Sequence, residues 1–164
     1  TIGTGIGGGL LVGGRPVHGL QHPEMGHMRL PRDPAEVAMF GGACPYHGDC
    51  LEGLASGPAI AKRWGQPAQT LPEDHPAWAL EARILGHALA NLILTVAPQV
   101  IILGGGVAEQ AHLLTKTRAQ VERLLNGYIQ SPWLKPGLED YIVRPGLGRY
   151  AGVLGAVALA MAGA

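Results

Sequence analysis

Val100-Ile101-Ile102-Leu103-Gly104-Gly105-Gly106-Val107 decides how this chain folds. An unbroken apolar run of strand length ends in three glycines and leads on to an amphipathic helix near 109–126. A buried strand that feeds a helix in this way belongs to an α/β domain. In open α/β sheets, ligands bind in the crevice beyond such strand ends. Upstream, Ile84/Leu85, Ala88/Leu89, Leu92/Ile93 and Val96 recur with helical period, which predicts a helix over 78–96 that Pro98 stops. Downstream, 141–144 reads as a short strand and 152–161 as a helix of small residues.

Toward the N-terminus the punctuation is glycine. Leu10-Leu11-Val12 and Arg15-Pro16-Val17 flank Gly13-Gly14, which predicts a β-hairpin. Residues 25–30 read as a third strand, 31–42 as loop and 44–50 as a compact polar knot. Leu51, Leu54, Ala55, Ile60 and Trp64 mark the apolar face of a helix over 51–64, which Gly57-Pro58 should break or bend. A Pro-rich connection follows over 66–76, and there is no internal repeat. Thr1-Ile2-Gly3-Thr4-Gly5 reads as a strand already running into its turn, so the sequence reads as a fragment.

At 164 residues, 47% apolar and 15% charged, the chain is expected to form one folded, soluble domain over 1–164. Twelve basic residues balance twelve acidic ones without a basic cluster, which argues against nucleic acid as a partner. No stretch reads as the roughly 20 apolar residues of a membrane span. The most apolar region, 79–97, is interrupted by Glu81, Arg83, His87 and Asn91. No basic stretch precedes an apolar run as in a signal peptide, so a membrane partner is not expected. Trp64, Trp78 and Trp133 read as packing or interface residues, and His18, His75, His87 and His112 as solvated or core histidines.

Gly3-x-Gly5-x-x-Gly8 satisfies the dinucleotide fingerprint on paper, with Glu24 near the distance of its acidic residue. That fingerprint requires a helix directly after the glycines, whereas a strand and turn follow here. No G-x-x-x-x-G-K-[ST] occurs either. A glycine hairpin can still cradle phosphate, through successive N–H groups and the Thr4 hydroxyl. Alone it could be plain punctuation; a second loop at Gly104–Gly106 suggests two sides of one nucleotide pocket.

Cys44-Pro45-Tyr46-His47-Gly48-Asp49-Cys50 sets Cys, His and Cys three residues apart, a spacing that lets one loop wrap a tetrahedral Zn²⁺. The fourth ligand must come from elsewhere, with His22 and His27 as candidates. Four protein ligands would make the site structural. A Cys44–Cys50 disulfide needs an oxidising compartment, for which the sequence gives no sign. Two free thiols beside an unrelated histidine are the other alternative. His22 and His27 do not form the helical H-E-x-x-H of a metalloprotease.

Gly3-Thr4-Gly5-x-Gly7-Gly8, His22-Pro23-Glu24-Met25-Gly26-His27, Cys44-Pro45-Tyr46-His47-Gly48-Asp49-Cys50-Leu51-Glu52 and Gly104-Gly105-Gly106-Val107 occur in the order of the ROK family of sugar kinases and repressors. Cys-Pro-Tyr-His-Gly-Asp-Cys-Leu-Glu-Gly-Leu-Ala-Ser-Gly-Pro resembles that family's bacterial fructokinase branch. The resemblance spans essentially the whole chain. It implies the C-terminal domain of the actin-like ATPase (ribonuclease H-like) fold, with a zinc-bound loop. It also implies Glu24, His27 and Glu52 at the sugar, and Gly3, Thr4, Gly5, Pro58, Gly104, Gly105, Gly106, Val107 and Ala108 at the nucleotide. The wider family uses three Cys and one His; two Cys here imply the set His27, Cys44, His47 and Cys50, which matches the fructokinase branch.

The implied activity is transfer of phosphate from MgATP to O6 of D-fructose in the cytoplasm, with glucose or mannose as alternative hexoses. Zn²⁺ would be structural and Mg²⁺ would accompany ATP. The family often forms homodimers. Its catalytic base is an Asp of the N-terminal domain. That domain is absent here, and Asp33, Asp49, Asp74 and Asp140 match no such role, so the isolated chain is expected to be inactive. The competing reading, the sugar-binding part of a ROK-type transcriptional repressor, would need a helix-turn-helix element ahead of Thr1.

Overall fold

The computed structural model describes residues 1–162, so the last two positions of the expected 1–164 domain lie outside it. Its elements are β1 (Leu11–Val12), β2 (Arg15–Pro16), α1 (Pro34–Met39), α2 (Leu51–Ala55), α3 (Gly57–Trp64), α4 (Pro76–Val96), β3 (Ile101–Ile102), α5 (Ala111–Leu125), β4 (Ile142–Val143) and α6 (Ala151–Ala162). β1 and β2 form the expected hairpin, with Leu11 opposite Pro16. Its turn residues, Gly13 and Gly14, both have positive φ, 57° and 76°.

Strand β3 pairs parallel with β4, Ile101 opposite Ile142, and α5 forms the crossover between them. Arg118 of α5 fastens helix to strand by donating to the Ile142 carbonyl from Nε (2.9 Å) and Nη2 (2.7 Å). Helix α4 lies against α5: Trp78 meets His112 edge-on at 4.9 Å between ring centroids, and Gly86 lies flush on Gln120. Both contacts advance by eight residues on each helix (78 to 86, 112 to 120), so α4 and α5 run the same way. The core sits between α2, α4, α5 and the β3–β4 pair, with Leu54, Trp78, Leu85, Leu113, Val121 and Ile142 fully buried.

Four sequence expectations are corrected. Residues 25–30 are not a strand: Met25–His27 form a 3-10 turn, and only Arg29 makes a β-bridge, to Cys50. Residues 31–42 are not all loop, because Asp33 caps α1 by accepting from the Ala35 N–H (2.8 Å) and Pro34 opens the helix. The run 100–103 is not fully buried; Val100 is 45% and Ile102 61% exposed, because among the described residues nothing covers that face of the two-stranded pair. Helix α4, 21 residues long and containing an 18-residue stretch of mean hydropathy 1.3, does reach the length and composition of a membrane span, with half of that stretch buried inside the domain. It is the helix against which α2 and α5 pack. The break at Gly57-Pro58 is as expected: Ser56 ends α2 and caps α3, its Oγ accepting from the Ala59 N–H (3.3 Å).

Candidate metal centre and glycine cradle

Cys44 and Gly48 exchange backbone hydrogen bonds (3.1 and 2.9 Å), closing a tight loop, and the Ala43 N–H donates to the Gly53 carbonyl (2.8 Å) to seat that loop on α2. Gly53 is required there: a Cβ would lie 1.9 Å from the Gly48 carbonyl oxygen and 3.0 Å from the Cys44 Cβ. Leu51 N–H donates to the Met28 carbonyl (2.9 Å), bringing the His27 segment alongside Cys50.

The ligand atoms of His27, Cys44, His47 and Cys50 consequently lie within 4.8 Å of one another. His27 Nδ1 is 3.5 Å from Cys50 Sγ and 3.8 Å from Cys44 Sγ, and His47 Nδ1 is 3.6 Å from Cys44 Sγ. A tetrahedron with Zn–S near 2.3 Å and Zn–N near 2.0–2.1 Å has an N···S edge of about 3.6 Å. The four side chains therefore fit a zinc ion by donor chemistry and by spacing. Both cysteines are free and buried. Burial works to raise the Cys44 thiol, yet the N–H groups of His47 and Tyr46 and the Cys50 thiol together hold it below the usual cysteine value. Cys50 is raised, first by burial and then by Cys44 beside it. Metal binding would take both sulfurs as thiolates and release their protons. His22, the other candidate for the fourth ligand, points elsewhere: its Nε2 lies 2.7 Å from Glu24 Oε1.

Glu52 stands in the first turn of α2, two residues past Cys50, and its Oε2 accepts from the Ile6 N–H of the first glycine loop (2.9 Å). Gly26 lies flush on the Ile6 carbonyl and Gly8 on Met25, so the Glu24–His27 segment flanks the same loop. The sequence motifs around Glu24, His27 and Glu52 are thereby gathered around Gly5–Gly8.

The second glycine loop meets the first from the other side. Ile2 N–H donates to the Gly104 carbonyl (2.7 Å), Val107 N–H to the Ile2 carbonyl (3.0 Å) and Gly57 N–H to the Gly3 carbonyl (2.8 Å). Gly105, at φ 99°, lies so close to the Ile2 backbone that a Cβ would come within 2.4 Å of its carbonyl oxygen. The two loops and the start of α3 form one joint, with Thr4, Pro58 and Gly106 exposed along it. Val107 and Ala108 are buried, and the Val107 N–H is spent on Ile2, so these two build the joint rather than its surface. A turn over Gly105–Glu109 separates the glycines from α5, so the helix does not begin directly at Gly106.

Sequence reasoning overlooked the charged residues around the metal loop. Asp49 binds Arg29 (2.7 Å) and Arg32 (3.2 Å), and buried Glu36 binds Arg63 (3.0 Å) and Arg83 (2.6 Å). The one available signal was Asp33-Pro34, a helix start that places Glu36 in a first turn.

The ROK family model matches residues 1–162. The chain is 49% identical over 160 residues to a putative fructokinase of Bacillus subtilis, covering 98% of this chain and 53% of that protein. It is 46% identical to a fructokinase of Zymomonas mobilis, covering 99% and 53%. It thus spans about half the length of the curated relatives it matches. Among solved structures, a ROK hexokinase from Thermus thermophilus superposes with a TM-score of 0.72 at 31% identity, covering 95% of this chain and 53% of that one. With the family's glycine loops, histidine motif and cysteine loop brought together as one site, the chain belongs to the ROK family.

Proposed function

We propose that this chain is the sugar- and zinc-bearing half of an ATP-dependent fructokinase that phosphorylates D-fructose at O6. The observation that carries the reading is the convergence of the Cys2His2 cluster with Glu24, Glu52 and both glycine loops. Identity to fructokinases in the high forties supports the substrate class. Zinc held by His27, Cys44, His47 and Cys50 would neutralise the thiolates and lock the loop from which α2 emerges.

In this scheme Glu24 and the free oxygen of Glu52 accept hydrogen bonds from sugar hydroxyls, while Ile6 N–H keeps the Glu52 carboxylate facing the glycine loop. Exposed Thr4 and the N–H groups of Thr4 and Gly5 face the phosphates of MgATP, the Gly3 N–H being spent on the Gly5 carbonyl (2.9 Å), and Gly104–Gly106 with Pro58 border the nucleoside. The proton of the attacking hydroxyl needs a carboxylate. Asp33 caps α1, Asp49 is held by two arginines, Asp74 is exposed in the connection ahead of α4 and Asp140 pairs with Lys135 (3.3 Å); the family resemblance assigns the base to a second domain. The apolar exposed surface of α6 is where that domain would dock, and thiolate ligands suit a reducing, cytoplasmic setting.

The test is a coupled assay for ADP release with fructose, glucose and mannose. The 164-residue chain alone should be silent, and a protein with the second domain joined to it should prefer fructose. Glu24→Gln and Glu52→Gln should each lower kcat/KM for fructose by roughly 10- to 100-fold, the worth of a hydrogen bond to a charged group. Preference for another hexose, or no loss in either variant, would contradict the assignment.

A further inference from the structure

We propose that Arg29 and Asp49 are a positioning pair that sets the metal affinity of the His27/Cys44/His47/Cys50 cluster. This rests on the zinc reading given above and assigns a role to two residues outside the ligand set.

The ligands come from two segments, His27 on one and Cys44–Cys50 on the other, so something must hold the segments in register before an ion arrives. Arg29 follows His27 by two residues and reaches across to the cysteine loop with both arms of its guanidinium. Nη1 donates to the His47 carbonyl (2.6 Å) and Nη2 meets Asp49 Oδ1 (2.7 Å). The Asp49 N–H donates to the same His47 carbonyl (2.8 Å). His47 is the exposed member of the cluster, so packing does little to orient it, and its carbonyl is the handle by which it is held.

Asp49 is itself anchored from below. Its Oδ2 accepts from Arg32 Nη1 (3.2 Å), and the Arg32 side chain is only 6% exposed, with Nη2 donating to the Phe40 (2.6 Å) and Glu36 (3.1 Å) carbonyls at the end of α1. A buried arginine thus fixes one carboxylate oxygen, and the other presents a fixed target to Arg29. The Arg29 side chain is 64% exposed, so its ion pair adds little to global stability. Its geometry, by contrast, bears directly on where a ligand sits, and outer-shell contacts of this kind are worth roughly 10- to 100-fold in metal affinity.

The experiment measures zinc affinity of the full chain by competition with a chromophoric chelator, for wild type, Arg29→Ala, Arg29→Lys and Asp49→Asn. Melting curves are recorded with zinc and with excess chelator. Arg29→Ala and Asp49→Asn should bind zinc roughly 10- to 100-fold more weakly. Arg29→Lys, which keeps the charge but cannot span both acceptors, should fall between. In excess chelator the two Arg29 variants should melt with wild type, whereas Asp49→Asn should melt lower because buried Arg32 loses its carboxylate, and at saturating Co²⁺ all four should keep the same thiolate absorption, since the ligands are intact. Wild-type affinity in Arg29→Ala and Asp49→Asn would overturn the proposal while leaving the zinc site standing. Equal destabilisation of the chelated and loaded forms would reduce the pair to an ordinary structural contact. A wild-type chain that takes up no zinc would overturn both readings.

Discussion

Around the metal loop, Asp49 and Glu36 each hold two arginines and Cys50 is fully buried; at the other end, Leu159 and Met161 of α6 are each 76% exposed. Val153, Leu154 and Val157 are exposed as well, so α6 is apolar on all sides without a partner among the described residues. Strand β3 and the residue before it show the same condition, at Ile102 and Val100. A helix apolar all round is ordinarily a buried one. The contrast teaches that the metal loop is packed and charge-paired by this chain's own residues, whereas α6 keeps an apolar surface exposed among the described residues.

Substitutions sharpen that contrast. Trp78 is wholly buried and donates from Nε1 to the Pro72 carbonyl (2.8 Å), so Trp78→Ala should cost about 3–5 kcal/mol in urea unfolding. Glu36→Gln strips the charge from between Arg63 and Arg83 and leaves the nearly buried Arg63 uncompensated, a loss of about 3 kcal/mol by the same measurement.

Glu81 acts in the opposite direction. Burial raises its carboxyl well above the usual 4.5, only partly countered by Arg63. The folded state therefore retains a proton that the unfolded state releases, and stability falls as pH rises above the ordinary value toward the folded one. Glu81→Gln should stabilise the chain at pH 8 and lose that advantage near pH 4; an advantage independent of pH would contradict the buried-carboxyl account.

Leu159→Ala should shift stability by less than about 0.5 kcal/mol in this chain. In a protein where a second domain covers α6, the same change should rise to about 2–5 kcal/mol. If it stays small there, α6 is not the docking surface.

The metal loop was legible because its signal is local: Cys44, His47 and Cys50 are bound by short spacing, and one loop must bring them together. Spacing could not choose between His22 and His27, because that choice depends on which residue the 3-10 turn at Met25–His27 aims inward. The long helices were legible through their period, and the helix break at Gly57-Pro58 through proline chemistry. Exposure of Val100 and Ile102 was not, since an apolar run reads alike whether or not its cover is present. The two glycine loops, about a hundred residues apart in sequence, were expected to flank one pocket, but the contacts that join them were not legible, because those hydrogen bonds are all backbone to backbone and leave no mark on residue type.

The most direct test of the account is X-ray absorption at the zinc edge, together with metal content, on the purified chain. The four-ligand reading predicts one zinc per chain with two sulfurs near 2.3 Å and two nitrogens at about 2.0–2.1 Å. A chain without zinc, or one in which Cys44 and Cys50 are joined by a disulfide, would contradict it.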